Sequence, residues 1–304
     1  MTPVAQPNSF LNRTVIVTGG AGSIGKPLCL AFARAGANVV VNDYGCSPSG
    51  EGFSDSPVEK VVQEITSEGF SAVADRHNVA TDADKIVQTA IEHFGRIDII
   101  INNAGIIAYG PIEHQDPATV RKVFEVNALG PIAICHYAWP HMKKQRFGRI
   151  VNFTSDSVFG MPFSTAYVLS RGAILGVTKT LSLEGQPDNI LVNTVGPSAY
   201  SRMVADVIQN LPPQQQDAFK ATYTGESNVP VIVALASEQN KYTGQVWVSG
   251  AYAMGRTAIC SIKEIKGLST VDQCLTGMDE LMKKDRPLTE PQSIQDFLVF
   301  RSEN

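Results

Sequence analysis

The sequence contains no long apolar run. Its most hydrophobic stretch, residues 97–107, is broken by Asp98, Asn102, Asn103 and Gly105 and is too short and too polar to cross a bilayer. Neither sign of charge dominates. Twenty-five Lys and Arg stand against 29 Asp and Glu, a formal net charge of -4, which gives no electrostatic reason to bind nucleic acid or an anionic membrane surface. Cysteine is scarce and scattered, at Cys29, Cys46, Cys135, Cys260 and Cys274, with no CxxC pair. That spacing argues against a zinc site and against a disulfide framework, and it suits reduced thiols. Residues 1–10 lack the charged-then-apolar pattern of a secretory signal. Residues 301–304 match neither a peroxisomal nor an endoplasmic-reticulum address, so a cytoplasmic protein is expected. The histidines (His77, His93, His114, His136, His141) form no HExxH or other ligand spacing, and no metal site is expected.

Hydrophobic residues make up 43% of the chain and charged residues 18%, enough apolar material for a sizeable core. Short β-branched runs at 14–18, 38–42, 72–74, 97–101, 149–153 and 190–195 read as strands, with 246–248 as the last. Helical periods fill 23–35, 58–68, 82–94 and 167–184, and two more helices lie before 149. Continuous apolar strands separated by helices predict an α/β protein: one Rossmann-type doubly wound parallel sheet with helices on both faces. We assign that domain to residues 1–252. Residues 253–304 show no strand pattern and are read as a C-terminal extension that packs on the domain or on a partner. Leu268, Val271, Leu275 and Met278 recur there near helical spacing.

The first strand runs into Thr18-Gly19-Gly20-Ala21-Gly22-Ser23-Ile24-Gly25, with a helix behind it. Small residues let backbone approach a pyrophosphate, and the helix start offers free N–H groups and a positive dipole end. The second strand ends in Val41-Asn42-Asp43. An acid about 20 residues past the glycine turn suits the ribose diol of a dinucleotide. Its charge would repel a 2′-phosphate, so Asp43 favours NAD over NADP.

Together these segments resemble the short-chain dehydrogenase/reductase family. The glycine turn is similar to its TGxxxGxG motif, with Ser23 in place of the middle glycine. Asn102-Asn103-Ala104-Gly105 is similar to its NNAG segment, and Asn78-Val79 to the pair that meets adenine. The resemblance spans roughly residues 12–252. It implies cofactor contacts from Gly19, Gly22, Ser23, Ile24, Gly25, Asp43, Asn78, Val79, Asn103, Ala104, Gly105, Tyr167 and Pro197. It also implies a catalytic serine at Ser155, a catalytic tyrosine at Tyr167 and a structural asparagine at Asn127. A closer likeness, carried by stretches such as His141-Met142-Lys143-Lys144-Gln145 and 193–203, is to the (3R)-hydroxyacyl-CoA dehydrogenase domain of the multifunctional enzyme of peroxisomal β-oxidation.

Reducing a carbonyl by hydride requires an acid for the forming alkoxide, and oxidising an alcohol requires the same group as a base. A free tyrosine titrates near pH 10. In the resembling family a lysine one helical turn beyond the tyrosine assists it and holds the nicotinamide ribose. In Tyr167-Val168-Leu169-Ser170-Arg171 we read the short, uncharged Ser170 as the lysine's position. Arg171, one residue and so about 100° further around a helix, is expected at the surface or an interface, with reach toward the ribose as the alternative. Asp156, directly after Ser155, either binds a cation or acts as acid/base at the pocket rim, or it turns outward and caps a loop.

Three functions are compatible with these residues. The first is an NAD-dependent oxidoreductase, with NADP less favoured, acting on a hydroxyl or keto group of a small organic or acyl substrate. The second is a redox-silent enzyme using Tyr167, Ser155 and Asp156 for dehydration, isomerisation or cyclisation. The third is a non-catalytic partner subunit. The resemblance also implies a homodimer or homotetramer through the helix at 167–184, where Gly172, Ala173 and Gly176 are small.

Overall fold

The computed structural model describes residues 5, 6 and 8–302. Strand and helix alternate as β1 (Thr14–Thr18), α1 (Gly25–Arg34), β2 (Asn38–Asn42), α2 (Ser56–Ser67), β3 (Ala72–Asp75), α3 (Ala83–Phe94) and β4 (Ile99–Asn102). They continue as α4 (Pro117–Phe124), α5 (Gly130–Gln145), β5 (Gly148–Phe153), α6 (Thr165–Gly185) and β6 (Ile190–Pro197). The helices α7 (Arg202–Ile208), α8 (Pro213–Thr222) and α9 (Val229–Ala236) then lead to β7 (Val246–Gly250) and β8 (Ala253–Thr257). The sheet order is β3-β2-β1-β4-β5-β6-β7-β8, and β1 to β7 pair parallel throughout.

Side chains alternate across each strand, so a strand apolar at every position feeds two cores. Val15 and Val17 of β1 join Leu28, Phe32, Val61 and Ile232 on one face. Ile16 between them joins Ile86, Ile134, Met142 and Val192 on the other. The strand order reverses between β1 and β4, and in doubly wound sheets the crevice at the carboxyl ends of such strands receives ligand.

The opposite edge of the sheet is tied by one carboxylate. Asp98, fully buried, accepts hydrogen bonds from Arg13 Nη1 at 3.0 Å, from the Thr14 amide at 2.9 Å, and from Arg96 Nε and Nη2, each at 2.7 Å. It therefore joins the starts of β1 and β4, far from the ligand edge. Removing one partner of a buried ion cluster is costly, and these arginines are partly solvated. We expect Asp98→Asn to destabilise the domain by about 2–3 kcal/mol. Thermal unfolding followed by circular dichroism checks this, with the exposed Asp84→Asn as a control that stays near wild type.

The expectation that the strand at 246–248 closes the sheet is corrected. Ala251 and Tyr252 take φ of 51° and 58°, the positive values of a two-residue hairpin turn, and β8 follows as an eighth strand. Its sequence, Ala-Met-Gly-Arg-Thr, is mostly exposed and carries no apolar alternation, so it gave no strand signal. The chain divides into two compact units that meet at Arg256 and Thr257. Within the second, β9 (Ser261–Ile262) pairs antiparallel with β10 (Leu288–Thr289). Helix α10 (Val271–Leu281) opens on a capping box of Thr270 and Gln273, and in α11 (Ile294–Ser302) Arg301 pairs with Glu264.

Candidate active site

A cleft of about 860 Å³ opens at the carboxyl ends of the parallel strands. Gly19, Gly22, Ser23, Ile24, Asp43, Asn78, Val79, Asn103, Ala104, Gly105 and Pro197 all line it, together with Ser155, Asp156 and Tyr167. Two residues expected in the site lie behind the wall instead. Gly25 is a packing position, because a Cβ there would sit 2.0 Å from the Gly19 carbonyl oxygen. Asn127 is fully buried.

The glycine turn is shaped by what its neighbours need. Gly19 has φ +63°, and a Cβ on it would meet Asn103 Nδ2 at 2.7 Å. That amide donates to the carbonyls of Thr18 and Gly19 at 2.7 and 3.0 Å. The Ala104 amide donates to Thr18 Oγ1 at 3.0 Å. The segment after β4 is thus bolted to the turn after β1, the two strands that flank the reversal. Asp43 accepts from the amides of Ala21 at 3.0 Å and Gly45 at 2.8 Å, so its carboxylate is fixed at the turn with lone pairs to spare.

The catalytic end is built by a π-helical turn, residues 125–129, between α4 and α5. Such turns often occur at functional sites. This one aims Asn127 at the backbone of Ile106. Its Nδ2 donates to the Ile106 carbonyl and its Oδ1 accepts from the Ile106 amide, both at 2.8 Å. Nδ2 also donates to Ser170 Oγ at 3.1 Å, and Ser170 Oγ donates to the Tyr167 carbonyl at 2.8 Å. Ser170 has no exposed surface and is spent on this structural link.

The reading of Ser170 as the lysine's counterpart is therefore corrected. In the resembling family that lysine stands four residues after the tyrosine, and four residues after Tyr167 is Arg171. Four residues span slightly more than one helical turn, so Arg171 shares the face of α6 that carries Tyr167. Its guanidinium is neither at the surface nor at an interface. It is 3% exposed, lines the cleft, and lies 5.2 Å from the Tyr167 ring centre. Nη1 donates to the Phe153 carbonyl at 3.0 Å, Nη2 occupies the space a Cβ on Gly105 would need, and buried Nε has no partner.

Ser155 Oγ accepts from the Ser157 amide at 3.2 Å, which leaves its own proton free to donate. Asp156 is exposed at the cleft rim, where its Oδ2 accepts from Ser198 Oγ at 3.3 Å. The thiol in the cleft, Cys46, is pushed up by burial and by the Asp43 charge, the reverse of what a nucleophilic thiolate needs. Burial likewise raises Cys29, well beyond the thiol range, and Cys135, to about 12. Among the described residues no group of three His, Cys, Asp or Glu could hold a metal ion, and no helix is long and apolar enough to cross a membrane.

Sequence reasoning missed two further walls of the cleft. One is the loop after β2, through Tyr44, Ser47 and Pro48; the Ile107 amide donates to the Pro48 carbonyl at 2.9 Å. The other runs from Arg202 and Met203 to Phe219 and Tyr223. Their signal was positional: both follow strand ends on the ligand edge of the sheet.

The family model described as short chain dehydrogenase matches residues 13–211. The chain is 38% identical over 244 residues to peroxisomal multifunctional enzyme A of Dictyostelium discoideum, covering 80% of this chain and 54% of that protein. It is 37% identical over 257 residues to peroxisomal multifunctional enzyme type 2 of Mus musculus, covering 83% and 34%. The chain thus spans about half of one curated relative and a third of the other. The crystal structure of a short chain dehydrogenase from Mycobacterium avium superposes with a TM-score of 0.78 at 30% identity, over 93% of this chain and 98% of that one.

Proposed function

The chain belongs to the short-chain dehydrogenase family of oxidoreductases, and on that premise we propose that it interconverts a hydroxyl and a keto group on a small organic or acyl substrate with NAD(H). The observation that carries this reading is the placing of Tyr167 and Arg171 on one face of α6, opening on the same cleft as Ser155 and the glycine turn. The cleft fits a dinucleotide. Gly19, Gly22, Ser23 and Gly105 line the cleft where a pyrophosphate and ribose would bind, and Arg171 Nε is a buried donor in want of an acceptor. A bound nicotinamide would accept or supply the hydride.

The chain's own groups handle the proton and the charge. Ser155 donates a hydrogen bond to the substrate oxygen and orients it. Tyr167 takes the hydroxyl proton in oxidation and returns it in reduction. Arg171 places a cation beside the phenol, 5.2 Å from its ring centre, where it attracts negative charge that develops on the reacting oxygen. Unlike lysine it presents a planar fork of donors. Asn127 and Ser170 hold the first turn of α6 to the strand-end segment at Ile106 and so position the tyrosine. No feature of the described cleft favours the redox-silent alternative.

Asp43 sets the cofactor preference in this reading, because a fixed carboxylate accepts from a ribose diol and repels a 2′-phosphate. Calorimetric titration is expected to show NADH at least tenfold tighter than NADPH, and Asp43→Asn to narrow that gap by about tenfold, on the order of 1.4 kcal/mol. Tighter NADPH binding by wild type contradicts the assignment. The reading also includes a homodimer or homotetramer formed through α6, where Gly172 and Gly176 are open and Leu169 and Leu183 exposed. It includes a cytoplasmic setting as well, in keeping with five free thiols.

A further inference from the structure

We infer that Asp156 reads the substrate: it selects a hydroxy or keto compound that carries an amine on the carbon next to the reacting one, and it disfavours a carboxylate there. This rests on the oxidoreductase reading, since it takes Ser155 as the group that holds the reacting oxygen. Asp156 directly follows Ser155 and lines the same cleft, which puts both side chains within reach of one substrate. Gly196 leaves room for the carboxylate, with Oδ1 3.1 Å from where its Cβ would be. Ser198 steadies Oδ2.

Among the described residues no cation of the cleft pairs with this charge. Four basic side chains line the wall, and each is engaged elsewhere: His77 with Asp75, Lys122 with Glu51, Arg171 with the Phe153 carbonyl, and Arg202 with the Cys46 carbonyl. Met161, Val207, Phe219 and Tyr223 also line the cleft, suited to an apolar body. A carboxylate that lines the substrate cleft without a cationic partner attracts an ammonium group and repels a second carboxylate.

Three benzylic alcohols that differ only in the group beside the reacting carbon test this: 1-phenylethanol, 2-amino-1-phenylethanol and mandelate. Each is titrated by calorimetry into the full-length protein saturated with NADH, where no oxidation proceeds. The amine is expected to bind about tenfold tighter than the neutral alcohol, and mandelate about tenfold weaker. Asp156→Asn, and Asp156→Ser as a second variant, should bring the three within about threefold. The proposal is overturned if the preference survives both variants, if mandelate binds as tightly as the amine, or if NADH binds and none of the three does. It is also overturned if Asp156→Asn changes only the ratio of NAD to NADH affinity, which would place the carboxylate against the cofactor. Failure of NADH itself to bind would instead remove the oxidoreductase reading, and this proposal with it.

Discussion

Arg171→Met is expected to slow alcohol oxidation near neutral pH by about 100-fold, within the range that acid–base assistance contributes. The substitution removes the cation beside the Tyr167 ring, and a methionine cannot satisfy the Phe153 carbonyl that Nη1 now meets. Carbonyl reduction should fall less, because the neutral phenol is the donor in that direction. Arg171→Lys keeps a charge on the same face of α6 and should stay within about tenfold of wild type, although it loses the planar fork. The pH–rate profiles of the three proteins on one accepted substrate check this. Equal neutral-pH rates for wild type and Arg171→Met would mean that the guanidinium is only structural.

Gly105→Ala reaches the same group from the other side. A Cβ at position 105 would lie 2.0 Å from Arg171 Nη2 and 3.2 Å from Asn127 Oδ1. The nearest atom is the end of a long side chain, so the chain should fold with the guanidinium displaced rather than with the backbone broken. We expect oxidation to fall by roughly 30-fold, at a stability cost of about 1–2 kcal/mol, typical of overpacking. Because both substitutions disable one interaction, the Gly105→Ala/Arg171→Met double variant should be no slower than Arg171→Met alone, the non-additivity of contacting residues. Multiplied losses would show that Gly105 and Arg171 act separately.

The sheet was legible because β1, β2 and β4 each carry three consecutive β-branched apolar residues and β5 carries Ile150-Val151, as strands of a parallel sheet covered on both faces do. The turn after β1 was legible from spacing. β8 was not, since an exposed edge strand is under no pressure to alternate. Ser170 was assigned the wrong role because three and four residues both amount to about one helical turn, yet they diverge by about 100° in direction. One step separates Ser170, buried against Asn127, from Arg171 in the cleft. The walls formed by the loop after β2 and by Met203 to Tyr223 depend on where long connections fold back. Local pattern does not encode that.

The central claim is that Tyr167, with Arg171 beside it, moves the proton in a hydride transfer between NADH and a carbonyl. Its most direct test is the loss of NADH absorbance in the presence of a panel of small ketones, amino ketones and 3-ketoacyl thioesters, with wild type and Tyr167→Phe compared at matched NADH saturation. The account predicts stoichiometric NADH oxidation and alcohol formation for at least one member of the panel, slowed by 100-fold or more in Tyr167→Phe with NADH affinity unchanged. NADH that binds but is never consumed, alongside a cofactor-independent conversion lost in Tyr167→Phe, would contradict it.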